Sequence, residues 1–376
     1  MDEAEGLKTR FSNDPGEILS QPVEDFISAS EVTSRIPFTE EDQQELYERI
    51  EASDPFGKHP IVHLVFQSTW TGAGIADSIP SNLKESERYQ QLHILTPNQL
   101  ASISEVPPHK AYLEAHPDAF VVVNTDGSIM ENDRIKLQKT LMNSMGVIAG
   151  GGPGHPYDPI YAPVLKALES VANEGIPITG VCLGHELMGY MLTDKSSTGV
   201  VPHGYAVGTA VESSTDIGKQ HEVISRLGDL ATIVHVNEYE WKNPEKIPGV
   251  RPLMQNLKGE ATALDLTLRY AAQAITIQGH PEFAIMGKGP GYTEDQKTVD
   301  FNGTQLVFPR GISMAYLGLV QYAILPRYEI LQKQYGMDME DIKELILPER
   351  IAAQHLGKDF YGPILKYMVD FRTKTF

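Results

Sequence analysis

From about residue 60 onward, short apolar runs alternate with amphipathic stretches. Ile61–Phe66 is a continuous apolar run of strand length, as a strand buried on both faces requires. Ala119–Asn124, Gly146–Ala149 and Pro177–Val181 repeat that signature. The stretches between them read as helices. Thr96-Pro97 pairs a capping side chain with proline at the first helical position. Asn132–Ser144 places Ile135, Leu137, Leu141 and Met142 near one helical face. Pro159–Glu174 is closed by Gly175, and Leu183–Leu192 follows the fourth strand directly. Strands alternating with helices predict an α/β fold, an open and mostly parallel sheet with helices on both faces. Right-handed crossovers then bring the strand C-termini to one edge, where ligands bind in such folds.

The pattern changes on either side of this region. Residues 199–278 are richer in strands, in VVPHGYAVGTAV, ATIVHV, TALDLTLRY and AAQAITIQ. Residues 310–376 read as mostly helical, with Ser313–Leu325 and Met339–Leu347 the clearest segments. Upstream, Thr39–Ala52 is a helix with Thr39 as N-cap and an acidic first turn. Residues 1–30 contain few large apolar side chains and several breakers, which predicts a mobile or surface-draped arm. The resulting organisation is an acidic N-terminal extension over 1–58, a core over 59–290 and a mainly helical extension over 291–376 packed on that core.

Composition narrows the function classes. The chain has 376 residues, 41% of them hydrophobic and 22% charged, with a formal net charge of −19. That charge would repel a phosphate backbone or an anionic membrane surface, so neither nucleic acid nor membrane is an expected partner. No stretch reaches the ~18 apolar residues of a membrane span. The N-terminal residues lack the basic and apolar regions of a signal peptide, so a cytoplasmic location is expected. Residues 1–60 carry 15 acidic against 5 basic residues, so much of the acid excess lies outside the core. A single cysteine excludes an internal disulfide.

That cysteine is the main chemical signal. Cys182 lies in Thr179-Gly180-Val181-Cys182-Leu183-Gly184-His185-Glu186, where a buried strand turns directly into a helix. Such a turn resembles a nucleophile elbow: it projects the side chain from the sheet edge, and Gly180 and Gly184 leave room for a substrate. The helix N-terminus is expected to lower the thiol pKa. A thiol nucleophile needs a base. His280 follows another apolar strand in Gln278-Gly279-His280-Pro281-Glu282-Phe283, and Glu282 is placed to orient its imidazole. The loop Gly150-Gly151-Gly152-Pro153-Gly154 can turn N–H groups toward an oxyanion, with Gly152 and Leu183 as the natural donors. His185 reads as structural, since His280 fills the base role. His185-Glu186 has no later histidine at zinc spacing, and neither a metal nor a cofactor is expected.

These motifs together, GGPG at 151–154, GVCLGHE at 180–186 and GHPEF at 279–283, resemble the class I (triad-type) glutamine amidotransferase superfamily over about residues 60–285. The resemblance implies a flavodoxin-like fold. It implies a Cys182 thioester with a γ-glutamyl-type carbonyl, and His280, oriented by Glu282, handling the protons. It also assigns substrate contacts to Gly151 and Glu186, and to Asn237, Glu238 and Tyr239 within His235–Tyr239, a segment that reads equally well as an ordinary strand end. His155 and Tyr157 fit either the pocket mouth or a loop surface. Glu186 stands where the family usually has glutamine, and γ-glutamyl hydrolases are similar to this chain in having glutamate there. There it would face a cationic group or be hydrogen-bonded and structural. No synthetase signature occurs in the 376 residues. The expected activity is therefore cleavage of glutamine or a γ-glutamyl amide by a free-standing enzyme. The alternatives are a glutaminase subunit feeding ammonia to a separate synthetase partner, and a non-catalytic binding protein on the same scaffold.

Overall fold

The computed structural model describes residues 35–375 apart from 55–56, 67–73, 77, 106, 194–199, 257–258, 269–272, 284–291, 322–324, 336–337, 340–345 and 347–355. The arm predicted over 1–30 and almost all of Met339–Leu347 lie outside the described residues.

The main sheet is built from β1 (Ile61–Phe66), β2 (Tyr89–Leu95), β3 (Phe120–Val122), β4 (Gly146–Ala149), β5 (Ile178–Val181), β6 (Val200–Ser214), β7 (Leu230–Trp241), β8 (Val250–Gln255), β9 (Ala261–Thr267) and β10 (Gln273–Ile277). Its spatial order is β3-β2-β1-β4-β5-β10-β9-β8-β6-β7. From β3 to β10 every pairing is parallel, and from β10 to β7 every pairing is antiparallel. A separate antiparallel ribbon pairs β11 (Lys297–Phe301) with β12 (Thr304–Phe308). The parallel half has the flavodoxin-like α/β arrangement, with a change of winding direction between β1 and β4.

Among the described residues the α-helices longer than one turn are α1 (Glu40–Ser53), α2 (Pro97–Ser104), α3 (Pro107–Ala115), α4 (Glu131–Met142), α5 (Ala162–Asn173), α6 (Leu183–Thr193), α7 (Met314–Leu319), α8 (Tyr328–Tyr335) and α9 (Leu356–Thr375). Both α1 and α2 begin with a capping box, Thr39 with Asp42 and Thr96 with Gln99. Gly175 follows α5 at φ +70°, the left-handed conformation that ends a helix cheaply.

Period-two alternation divides the core between the sheet faces. Val62, Leu64 and Phe66 of β1 join Leu137 of α4, Val164 and Leu168 of α5 and Leu187 of α6 in one cluster. Ile61, Ile148, Ile275 and Ile277 join Leu46 and Ile50 of α1 and Phe360, Tyr361 and Ile364 of α9 in the other. Thus α1 and α9, from opposite ends of the chain, pack together on one face. Their contact is reinforced by the ion pairs Arg49–Asp370 at 2.6 Å and Lys366–Glu45 at 3.1 Å. Asp359 of α9 accepts the Phe38 N–H at 2.6 Å and also binds Arg35.

Some local expectations change. Ile135 is 49% exposed, so the buried stripe of α4 is Leu137 and Leu141. Strands β2 and β8 carry no clear apolar signature, because YQQLHIL and VRPLMQ are only partly buried and are set by pairing with neighbours.

Buried histidines tie this fold to pH. Burial holds His63 and His185 down to about 3 and His93 to about 4, from an ordinary 6.5. The unfolded chain takes up these protons near 6.5 and the native chain does not. Stability is therefore complete above that value and is lost as pH falls toward the native values, at up to about 1.4 kcal/mol per pH unit for each histidine. Urea titrations between about pH 7 and 4.5 should show this loss, with a shallower slope for His185→Gln.

Candidate active site

Three adjacent parallel strands, β4, β5 and β10, end at the same edge. The glycine loop follows β4, Cys182 follows β5, and His280 lies three residues beyond β10. Pairing of the strands is what brings together residues nearly a hundred positions apart. Cys182 has φ 50°, an uncommon left-handed conformation for a residue with a side chain and the mark of a sharp strand-to-helix turn. Hydrogen bonds lock the turn: Cys182 N–H to Ile277 O at 2.9 Å, Gly184 N–H to Gly150 O at 3.1 Å, and Glu186 N–H to Cys182 O at 3.0 Å.

The flanking glycines serve the packing of this turn. A Cβ on Gly184 would lie 2.0 Å from the Ala149 carbonyl oxygen, and one on Gly180 would lie 2.7 Å from the Gly184 backbone. They let α6 press against the sheet, where the sequence suggested room for a substrate. Gly151 does border the reactive groups: its Cβ would stand 2.7 Å from His280 Cε1 and 3.4 Å from Cys182 Cβ.

The backbone N–H groups of Leu183 and Gly152 both point at the Cys182 sulfur and favour its anionic form. The thiol itself contacts the Val236 carbonyl of β7, with Sγ 3.6 Å from the oxygen. The expected low thiol pKa is not found. Burial, followed by the Glu186 and Glu282 carboxylates, pushes the Cys182 thiol well above its ordinary value and outweighs the two N–H groups. Burial in this field favours the neutral thiol.

His280 is buried, and its Nδ1 lies 2.7 Å from Glu282 Oε1. A carboxylate accepts, so Nδ1 is the donor in this pair. The His280 N–H donates to Val234 O at 2.7 Å, which joins the loop after β10 to β7. The far oxygen of Glu282 accepts the Tyr361 hydroxyl of α9 at 3.1 Å.

Glu186, 3% exposed, is fixed by the Gln278 amide at 3.1 Å, and its charge reaches Cys182, Tyr157 and Tyr161. Tyr239 packs edge-on against His155 at 4.8 Å and Tyr157 at 5.8 Å, and Tyr157 against Tyr190 at 4.9 Å. Tyr157 is 39% exposed, so this aromatic group opens outward. Asn237 is turned inward: its amide donates to Tyr239 O at 3.1 Å and its Oδ1 lies 3.3 Å from His235 Nδ1. His235 in turn meets Glu212 at 2.7 Å, which also accepts from Thr262. The Glu238 side chain lies outside the described residues. His185 is held by Thr276 at 2.9 Å and packs on Trp241, in a structural role.

The family model for "Glutamine amidotransferase class-I" matches residues 109–298, just over half of the chain. The chain belongs to this family. Among curated proteins it is 30% identical over 139 residues to a carbamoyl phosphate synthase small chain from Pseudomonas syringae pv. tomato, covering 36% of this chain and 32% of that one. The small chain from Pseudomonas putida is 28% identical over 143 residues, covering 38% and 33%. The match thus spans about a third of the length of each curated relative. A solved glutamine amidotransferase from Thermotoga maritima is similar at 14% identity and a TM-score of 0.41, covering 75% of this chain and 99% of that one.

Within this class-I chain, Gln278 meets Glu186 and Tyr361 meets Glu282, neither singled out from sequence, while the Val236 carbonyl beside Cys182 lies in the segment His235–Tyr239. Gln278 had a usable signal, because it immediately precedes the Gly-His-Pro-Glu motif. Tyr361 had none, since it lies on α9, beyond the matched family region. Among the described residues, no group of three or more His, Cys, Asp and Glu side chains is arranged to hold a metal, and no helix is long and apolar enough to cross a membrane.

The raised thiol has a direct consequence. Iodoacetamide, which does not occupy an amide site, should modify Cys182 at pH ~7 more slowly than a free cysteine with pKa about 8.5. Mass spectrometry of the time course reads this rate, and faster modification than in an unstructured peptide would contradict the buried neutral thiol.

Proposed function

We propose that this chain is a cysteine-dependent amide hydrolase or transferase that cleaves glutamine or a γ-glutamyl amide through a thioester on Cys182. The observation that carries the reading is the convergence of one thiol, two backbone donors and a His–Glu pair at the ends of β4, β5 and β10. In this reading the Cys182 proton passes to His280 Nε2 while Sγ attacks the amide carbon. The resulting oxyanion accepts from the Gly152 and Leu183 N–H groups. The C–N bond breaks as His280 protonates the leaving nitrogen, releasing ammonia or an amine. His280 then takes a proton from water, which attacks the thioester; a free carboxylate leaves and the thiol is restored. Glu282 orients the imidazole throughout.

Gly151 borders the reacting carbon in this scheme. Glu186 supplies negative charge for a cationic group of the donor, and Tyr239 with its aromatic neighbours walls the pocket. Asn237 acts by holding β7 in place, and Glu238 is assigned to the same strand as a substrate contact. The catalytic unit is 59–290, with 1–58 and 291–376 as its extensions and the cytoplasm as its compartment.

A second reading has its own support. Two curated relatives are named as small chains of carbamoyl phosphate synthase. On that reading the ammonia passes to a separate synthetase subunit. Glu186, which departs from the usual family glutamine, favours the free-standing enzyme. Copurification with a synthetase that raises glutaminase activity would reverse the preference.

The test is a panel of glutamine and γ-glutamyl amides with mass-spectrometric trapping of the acyl-enzyme. Cys182→Ala should abolish turnover and the covalent adduct. His280→Ala should lower kcat by about 10²–10⁴-fold. Full activity in Cys182→Ala would reject the mechanism.

A further inference from the structure

Glu282 has two carboxylate oxygens, and both are engaged. Oε1 meets His280 Nδ1 at 2.7 Å, and Oε2 accepts the Tyr361 hydroxyl at 3.1 Å. Tyr361 belongs to α9, some sixty residues beyond the family match at 109–298. Its ring is fully buried at 0% exposure. Burial and the adjacent Glu282 charge push the Tyr361 phenol well up, so it remains a donor.

α9 approaches Glu282 closely at Gly357, near its start. A Cβ on Gly357 would lie 2.1 Å from Ser78 Oγ and 3.2 Å from Glu282 Cα. From the other side, a Cβ on Gly74 would lie 3.0 Å from Glu282 Cγ. Glu282 is therefore walled by Gly74, Gly357 and Tyr361, with Tyr361 supplying the polar contact.

We infer that Tyr361 is a positioning residue for the Glu282–His280 pair, which makes the C-terminal helix part of this chain's active-site machinery. The inference rests on the amide-cleaving reading proposed above. A carboxylate with one fixed oxygen still turns about its terminal torsion. The Tyr361 hydroxyl holds the second oxygen, which sets the carboxylate plane and through it the imidazole and the direction of Nε2. The Asp359 contacts to Phe38 and Arg35, two residues earlier on α9, secure the helix that carries the phenol.

The experiment compares Tyr361→Phe with wild type, Cys182→Ala, Glu282→Gln and Tyr367→Phe, all in the full chain. Tyr361→Phe removes one oxygen and leaves the ring in place. It should lower kcat about tenfold with KM within about twofold, as loss of one hydrogen bond to a charged group predicts. The downfield proton NMR signal of His280 Nδ1–H should shift or broaden, a readout that needs no turnover. Tyr367→Phe, which removes a different phenol from the same helix, should leave both unchanged. Should the phenylalanine variant fail to fold, Gly357→Ala displaces the start of α9 and should produce the same fall in kcat. Retained activity in Cys182→Ala would sink the amide-cleaving reading itself. Inactive Cys182→Ala and Glu282→Gln, together with wild-type kcat and an unmoved Nδ1–H signal in Tyr361→Phe or Gly357→Ala, would overturn the inference about Tyr361 alone.

Discussion

The close contact between α6 and the end of β4 is the constraint on which the site depends. Gly184 sits where any side chain would run into the Ala149 carbonyl, and its N–H is bonded to Gly150 O. That contact forces the chain to turn within one residue of β5, and Cys182 absorbs the turn in a left-handed conformation. It also joins the glycine loop to the helix start, so the Gly152 and Leu183 N–H groups share one target. Non-glycine residues in this region of φ/ψ cost about 1–3 kcal/mol and persist only where surrounding structure over-determines them. Here the sheet, the helix and the loop all do so.

The electrostatics of the site follow from its depth. Two carboxylates, Glu186 and Glu282, stand close enough to a buried thiol to oppose its ionisation. A resting thiolate would be costly in that field, and backbone dipoles only partly compensate. In the proposed reaction the thiol loses its proton during attack, when an oxyanion takes over the N–H groups. Depth also explains the contribution of β7. Its Val236 carbonyl meets the thiol, and its Val234 carbonyl holds His280. The antiparallel half of the sheet thus closes over a centre built by the parallel half.

The chain's extremities are tied to this centre through one sheet face. Residues 35–53 and α9 pack together there, linked by Asp359, Asp370 and Glu45. Tyr361 extends that packing to Glu282. An extension that reads in sequence as an addition to a catalytic domain is in contact with the acid of its His–Glu pair.

Local sequence determined the buried strands β1, β4 and β5, the capped helices α1 and α2, the elbow at Cys182 and the motif around His280. Each rests on short-range physics: apolar runs, capping side chains, glycine where backbone must approach backbone, and proline between histidine and glutamate. The two backbone N–H groups beside the sulfur follow strand ends for the same reason. Tertiary structure alone decided the rest. Pairing with neighbours made strands of YQQLHIL and VRPLMQ, and exposure removed Ile135 from the core. Burial beside two carboxylates reversed the expected direction of the thiol pKa. Tyr361 met Glu282 across 79 residues because α9 packs on the same sheet face. Desolvation and long-range contact depend on what lies on the far side of a residue, and no window along the chain contains that information.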